Sequence, residues 1–88
     1  MRRYKVDVHH KAARAILELP RPDQVRVARK IDLLAEEPRP EGVEKLTDTR
    51  NGYRIRSGDY RIVYTVDDAI LVVNVVRVAH RRQVYRRM

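Results

Sequence analysis

Arginine recurs at Arg54, Arg56 and Arg61 inside Tyr53–Tyr64, a stretch that alternates polar and apolar residues about Gly58-Asp59. Such alternation around a glycine-led pair predicts a β-hairpin. With Gly58-Asp59 as a two-residue loop, Ser57 pairs with Tyr60, Arg56 lies directly opposite Arg61, and Arg54 shares their face. Like charges facing each other across a sheet repel, so a cluster of this kind is suited to holding a group with several negative charges. The guanidinium fork matches the oxygens of a phosphate. Asn74 and the tail residues Arg77, His80, Arg81, Arg82, Tyr85 and Arg86 are candidates to converge on the same face. An aromatic ring among arginines grips unpaired RNA, the base stacking on the ring while the phosphates sit among the cations. Tyr85 fits that description, and its alternative reading is a tail aromatic folded back on the core.

RNA cleavage through the 2′-hydroxyl needs a proton acceptor, charge stabilisation of the phosphorane and a proton donor to the 5′-oxygen. Arginines supply the second strongly and are poor bases. Histidine is the side-chain type that ordinarily changes charge near neutral pH. His80, the histidine beside the cluster, is therefore the candidate proton carrier; a surface histidine at a strand end is the other reading. His9 and His10 read as helix-start residues rather than metal ligands, and Asp67-Asp68 as a turn. Neither a glycine-rich phosphate loop, a nucleophile elbow nor a carboxylate dyad is present, so neither a cofactor nor a metal is expected.

These side chains need a small scaffold. The 88 residues suit a single domain, 1–88, and with no cysteine it has no disulfide to support it. Tyr4–Val8 alternates as a first strand. Lys11–Leu19 places Ala12, Ala15, Ile16 and Leu19 on one helical stripe, and Pro20 stops it. Pro22 and Asp23 suit the start of a second helix, in which Val27, Ile31 and Leu34 recur at helical spacing and Pro38 and Pro40 end the run. Asp23–Arg26 and Arg29–Asp32 are spaced to pair. Glu41–Asn51 is a connection with room for a brief strand around Val43–Leu46. Strands are expected at Tyr53–Ser57, Tyr60–Val66 and Ala69–Val78, the last nearly all β-branched and so expected to be central and buried on both faces.

The order β-α-α-β-β-β predicts an α+β fold, with an α-hairpin packed on one face of a small, mostly antiparallel sheet. Tyr53, Ile55, Ile62, Tyr64, Leu71, Val73 and Val75 would lie beneath the helices. Arg54, Arg56, Arg61 and Asn74 would lie on the open face, around Val63 and Val72. The net charge of +8 is segregated: residues 50–88 hold nine arginines, three acids and no lysine. That bias favours phosphate recognition over general solubility. No basic helix has a bulky apolar face to anchor in lipid. Met1-Arg2-Arg3 precedes no apolar run, so a secretory leader and a membrane partner are not expected, and a cytoplasmic location is.

The chain resembles the RelE branch of the RelE/ParE superfamily of bacterial and archaeal toxins, over almost its whole length. The likeness rests on Leu19-Pro20, Leu34 through Pro38-Arg39-Pro40, Lys45-Leu46, Tyr53-Arg54-Ile55-Arg56, Gly58-Asp59-Tyr60-Arg61-Ile62-Val63-Tyr64 and His80-Arg81-Arg82 with Val84-Tyr85. The resemblance implies a ribosome-dependent endoribonuclease that cuts mRNA in the A-site codon by 2′-hydroxyl attack, leaving a 2′,3′-cyclic phosphate. It implies a catalytic set at Arg54, Arg56, Arg61, Arg81 and Tyr85. Arg56 and Arg61 would clamp the transition state, Arg81 would contact the leaving side, and Tyr85 would stack. It also implies an acidic, RelB-like antitoxin with a helical segment, and contact with operator DNA only through the toxin–antitoxin complex. One departure is chemical: both residues on the first hairpin strand are arginine where lysine is usual. A lysine can surrender its proton and an arginine essentially cannot, so His80 or groups on the ribosome would have to move it. The alternatives are a ParE-like DNA gyrase poison without nuclease activity, a non-catalytic nucleic-acid-binding module that represses its own operon, and an inactive relative.

Overall fold

The computed structural model describes residues 3–82. Its elements run β1 (Lys5–Val8), α1 (His10–Leu17), α2 (Arg21–Leu34), β2 (Glu44–Lys45), β3 (Gly52–Ser57), β4 (Tyr60–Asp67) and β5 (Val72–His80). The strands form one sheet in the order β1-β5-β4-β3-β2. β1 joins β5 in parallel and every other pairing is antiparallel. The expected α+β architecture is the one observed.

Local chemistry sets the helix boundaries. His9 caps α1, its Nδ1 accepting from the Lys11 N–H at 3.2 Å, which is the helix-start role its position suggested. Regular α1 ends two residues before the expected Leu19, although Leu19 still packs against the core. Pro22 sits in the first turn of α2, where a missing N–H costs nothing. Asp23 and Arg26 pair at 3.6 Å, whereas Arg29 and Asp32 form no ion pair among the described residues.

One face of the sheet is closed by the helices. Ala12, Val27, Ile31 and Leu34 pack on Tyr53, Ile55, Ile62, Tyr64, Val66, Val73, Val75 and Val78, all buried. An interlocking polar clasp closes one end. Tyr4 donates to Asp68 Oδ1 at 2.6 Å, and Arg39 grips both Asp68 oxygens at 3.2 and 2.7 Å. Arg39 Nε also donates to the Tyr53 hydroxyl at 2.8 Å, and Tyr64 donates to the Pro38 carbonyl at 2.7 Å. The clasp ties the residue before β1, the segment after α2, β3, β4 and the β4–β5 loop together.

β5 differs from its sequence expectation in three ways. It runs from Val72 to His80 rather than from Ala69 to Val78, and its start moves because the loop is Asp68–Leu71 instead of Asp67-Asp68. Asp67 Oδ1 accepts from the Ala69 and Ile70 N–H groups at 3.0 and 3.3 Å, and Leu71 takes a left-handed φ of 55°. The two extra loop residues slide the register by an even step, so Asn74 keeps its place on the open face, opposite Thr65. Second, the strand is interior, between β1 and β4, but only the helix side is fully closed: Asn74 is exposed while Val73 and Val75 are buried. Third, the pairing shifts between Val63 and Tyr64, leaving Val76 as an extra residue. This β-bulge reverses the side-chain parity of everything beyond it.

Candidate functional site

The hairpin is in the register expected from sequence. Ser57 pairs with Tyr60 and Arg56 with Arg61, around Gly58 at φ 61°. A left-handed backbone at the first loop residue alone matches the glycine-first turn type. Arg54 pairs with Val63, so all three arginines project from the open face.

Cross-strand pairing arranges that face in rows. One row runs Glu44, Arg54, Val63, Arg77, and the next runs Arg56, Arg61, Ala79. The bulge at Val76 brings Arg77 into line; regular alternation from Asn74 would have turned it toward the helices. Repulsion between the cations is eased locally. Arg54 Nε donates to Glu44 Oε1 at 3.0 Å, and Arg54 Nη2 lies in ion-pair contact with the same oxygen at 2.9 Å. Arg56 Nε donates to the Gly58 carbonyl at 3.1 Å, and Arg61 Nη1 to the Tyr60 carbonyl at 3.5 Å. The Arg54 side chain is 20% exposed and that of Glu44 60%, so the pair is reachable from solvent.

The tail residues divide. The Arg81 N–H donates to the Asp59 carbonyl at 2.8 Å, which holds Arg81 at the hairpin tip beside the second row. Arg82 is exposed next to it. The bulge that recruits Arg77 carries His80 away. His80 pairs with Tyr60, on the face of Ile62 and the helices, and its ring meets the Tyr60 ring edge-on at 5.5 Å. Its Nδ1 accepts from the Arg82 N–H at 3.2 Å, the geometry of a cap on the following turn. His80 is therefore not brought together with the arginine rows. Tyr85 and Arg86 lie outside the described residues.

Sequence reasoning passed over Glu44. The short strand around it was visible, but not the register that sets it against Arg54, because six residues of connection lie between β2 and β3. No grouping of histidine, cysteine or carboxylate able to hold a metal occurs among the described residues. Nor is any described helix long and apolar enough to cross a membrane.

Two helices on a five-stranded mixed sheet, with an arginine-lined open face, define a toxin of the RelE/ParE superfamily. The chain belongs to the ParE toxin family of type II toxin–antitoxin systems (parDE), whose family model matches residues 6–85. The archaeal RelE–RelB complex from Pyrococcus horikoshii contains a chain that superposes with a TM-score of 0.80 at 32% identity, over 89% of this chain and 94% of that one. A chain of the intact E. coli RelBE toxin–antitoxin complex matches with a TM-score of 0.76 at 32% identity, covering 88% and 95%. The isolated E. coli RelE toxin matches with a TM-score of 0.75 at 28% identity, covering 97% and 99%. No curated protein matches the chain in sequence. The protein is thus a type II toxin with a RelE-like fold, and a cognate antitoxin is its partner.

Proposed function

We propose that this toxin is a ribosome-dependent mRNA endoribonuclease that cuts A-site codons through 2′-hydroxyl attack. The observation that carries the reading is the double row of arginines on the open face, with Arg56 directly opposite Arg61, Arg54 and Arg77 in the adjoining row, and Arg81 at the hairpin tip. A transition state that gathers charge on phosphate oxygens is stabilised by cations already fixed around it. Arg56 and Arg61 clamp the phosphorane, Arg81 contacts the leaving side, and Arg77, Arg82 and Arg86 hold neighbouring phosphates. Tyr85 is the stacking partner for a base. The reaction uses no cofactor and takes place in the cytoplasm. An acidic helical segment of the antitoxin covers the same arginines, and the complex rather than the toxin alone meets operator DNA.

Primer extension on mRNA from translating ribosomes tests this reading. Added toxin is expected to produce cuts within A-site codons and to leave naked RNA largely intact. A second reading, poisoning of DNA gyrase, is favoured by the ParE family match and by arginine in both positions where lysine is usual. Intact mRNA together with arrested supercoiling would establish that reading and remove the first.

A further inference from the structure

Arginines alone leave the 2′-hydroxyl proton without an acceptor, since a guanidinium has no lone pair to offer. His80 faces the helices, against Tyr60. We propose that Glu44 is the proton acceptor and that Arg54 positions it; the inference rests on the nuclease reading above.

Geometry supports the assignment. Glu44 pairs directly with Arg54, which puts both side chains on the open face. The Arg54 Nε hydrogen bond and the Nη2 ion-pair contact both fall on Oε1. The second oxygen, Oε2, has no bond within the described residues. One oxygen is anchored and the other is available, as a general base requires. Neighbouring strands lie about 4.8 Å apart, so Glu44 on β2 is one spacing from Arg54, while Arg61 lies two strands across and two residues along, in the adjoining row. A ribose and its phosphate can bridge that gap, with the phosphate between Arg56 and Arg61 and the 2′-hydroxyl toward Oε2.

Other carboxylates fit less well. Asp7 shares the open face but pairs with Lys5 at 3.8 Å and lies on β1, at the opposite edge of the sheet. Asp59 is in the hairpin turn, beyond the paired rows. The charged groups facing Glu44 are Arg54 across the strand pair, with Arg56, Arg61 and Arg77 farther along the face; Lys45 projects to the other side with Tyr53.

In the proposed step the 2′-oxygen bonds to phosphorus as its proton passes to Glu44 Oε2. The bond from phosphorus to the 5′-oxygen breaks, and that oxygen takes a proton from water. The hydroxide so formed recovers the proton from Glu44. The products are a 2′,3′-cyclic phosphate and a 5′-hydroxyl, with the carboxylate restored.

Single-turnover cleavage of mRNA on programmed ribosomes, over a range of toxin concentrations up to saturation, tests the assignment with Glu44→Gln, Asp59→Asn and Arg61→Ala beside the unmodified protein. Glutamine keeps an acceptor for Arg54, and a thermal melt checks that the fold is retained. Glu44→Gln is expected to slow cleavage by about 100-fold or more. The toxin concentration giving half-saturation should change by less than about threefold, the pattern of an interaction made only in the transition state. A folded Glu44→Gln protein that keeps its rate while Arg61→Ala loses activity overturns the role of Glu44 and leaves the nuclease reading standing. If Asp59→Asn shows the loss instead, the acceptor has been misassigned. If the unmodified protein leaves ribosome-bound mRNA intact, both this inference and the nuclease reading fail.

Discussion

At the scale of single residues, the site is a problem in electrostatics with a local solution. Arg56 and Arg61 face each other across two strands, and each donates to a carbonyl near the hairpin tip. Such fixed cations are worth most where charge develops during reaction. Arg61→Ala is therefore expected to lower ribosome-dependent cleavage by about 100- to 1,000-fold. Because no core contact is lost, its thermal stability should stay within about 0.5 kcal/mol of the unmodified protein. Growth arrest after induction, with a melt of the purified variant, checks both halves. His80→Gln separates the sequence expectation from the geometry. A cap on the Arg82 N–H predicts faster hydrogen exchange at that amide and an unaltered pH profile. A proton carrier predicts the reverse.

At the scale of elements, two backbone features decide which side chains meet. One is the Gly58 turn, whose φ of 61° sets the Arg56–Arg61 register. A Cβ built at Gly58 meets nothing within 4 Å, so Gly58→Ala carries only the left-handed backbone penalty. That penalty is about 1–2 kcal/mol for an L-residue. Urea denaturation should show a lower midpoint with an unchanged slope, since the same surface is exposed on unfolding. The other feature is the bulge at Val76, which turns Arg77 toward the arginine rows and His80 away from them. Strand β2 contributes only Glu44 and Lys45, yet its pairing with β3 is what sets a carboxylate against Arg54.

For the whole molecule, the polar clasp compensates for a small core. Tyr64 is fully buried and its hydroxyl satisfies the Pro38 carbonyl. Tyr64→Phe leaves that carbonyl unpaired and should cost about 1–3 kcal/mol, measurable by denaturant titration. Burial also pushes the Tyr64 hydroxyl well above the ordinary tyrosine range. Tyr4 is raised too, chiefly by its hydrogen bond to Asp68. A group whose pKa is higher folded than unfolded holds its proton better in the native state, so its stabilising contribution is complete below the unfolded value and is lost as pH rises toward the folded one. Stability should accordingly fall once pH passes about 10, where unfolded tyrosines ionise. The fall should be shallower in Tyr64→Phe, and thermal melts between pH 8 and 11 check it. The net charge of +8 adds a field over the whole surface that draws in polyanions and weakens with salt.

Much of this protein is legible from residue order alone. Period-two alternation about Gly58-Asp59 determines the hairpin, and a two-residue loop leaves one possible register, so the facing of Arg56 and Arg61 follows from local rules. Helical stripes and prolines likewise determine the α-hairpin and its buried side. The charge segregation and the motifs that carry the family resemblance need no coordinates. Tertiary structure decided the rest where the chain makes long-range choices. The Asp68–Leu71 loop and the bulge at Val76 belong to one strand pair, and no local signal in a β-branched run marks where an extra residue will be expelled. That single residue determines that Arg77 faces the site and His80 does not. The Glu44–Arg54 pairing crosses a six-residue connection between β2 and β3, so its register is set by packing against the finished sheet rather than by a turn. The facing arginines were therefore readable in the sequence, and the carboxylate beside them became visible only once the sheet was assembled.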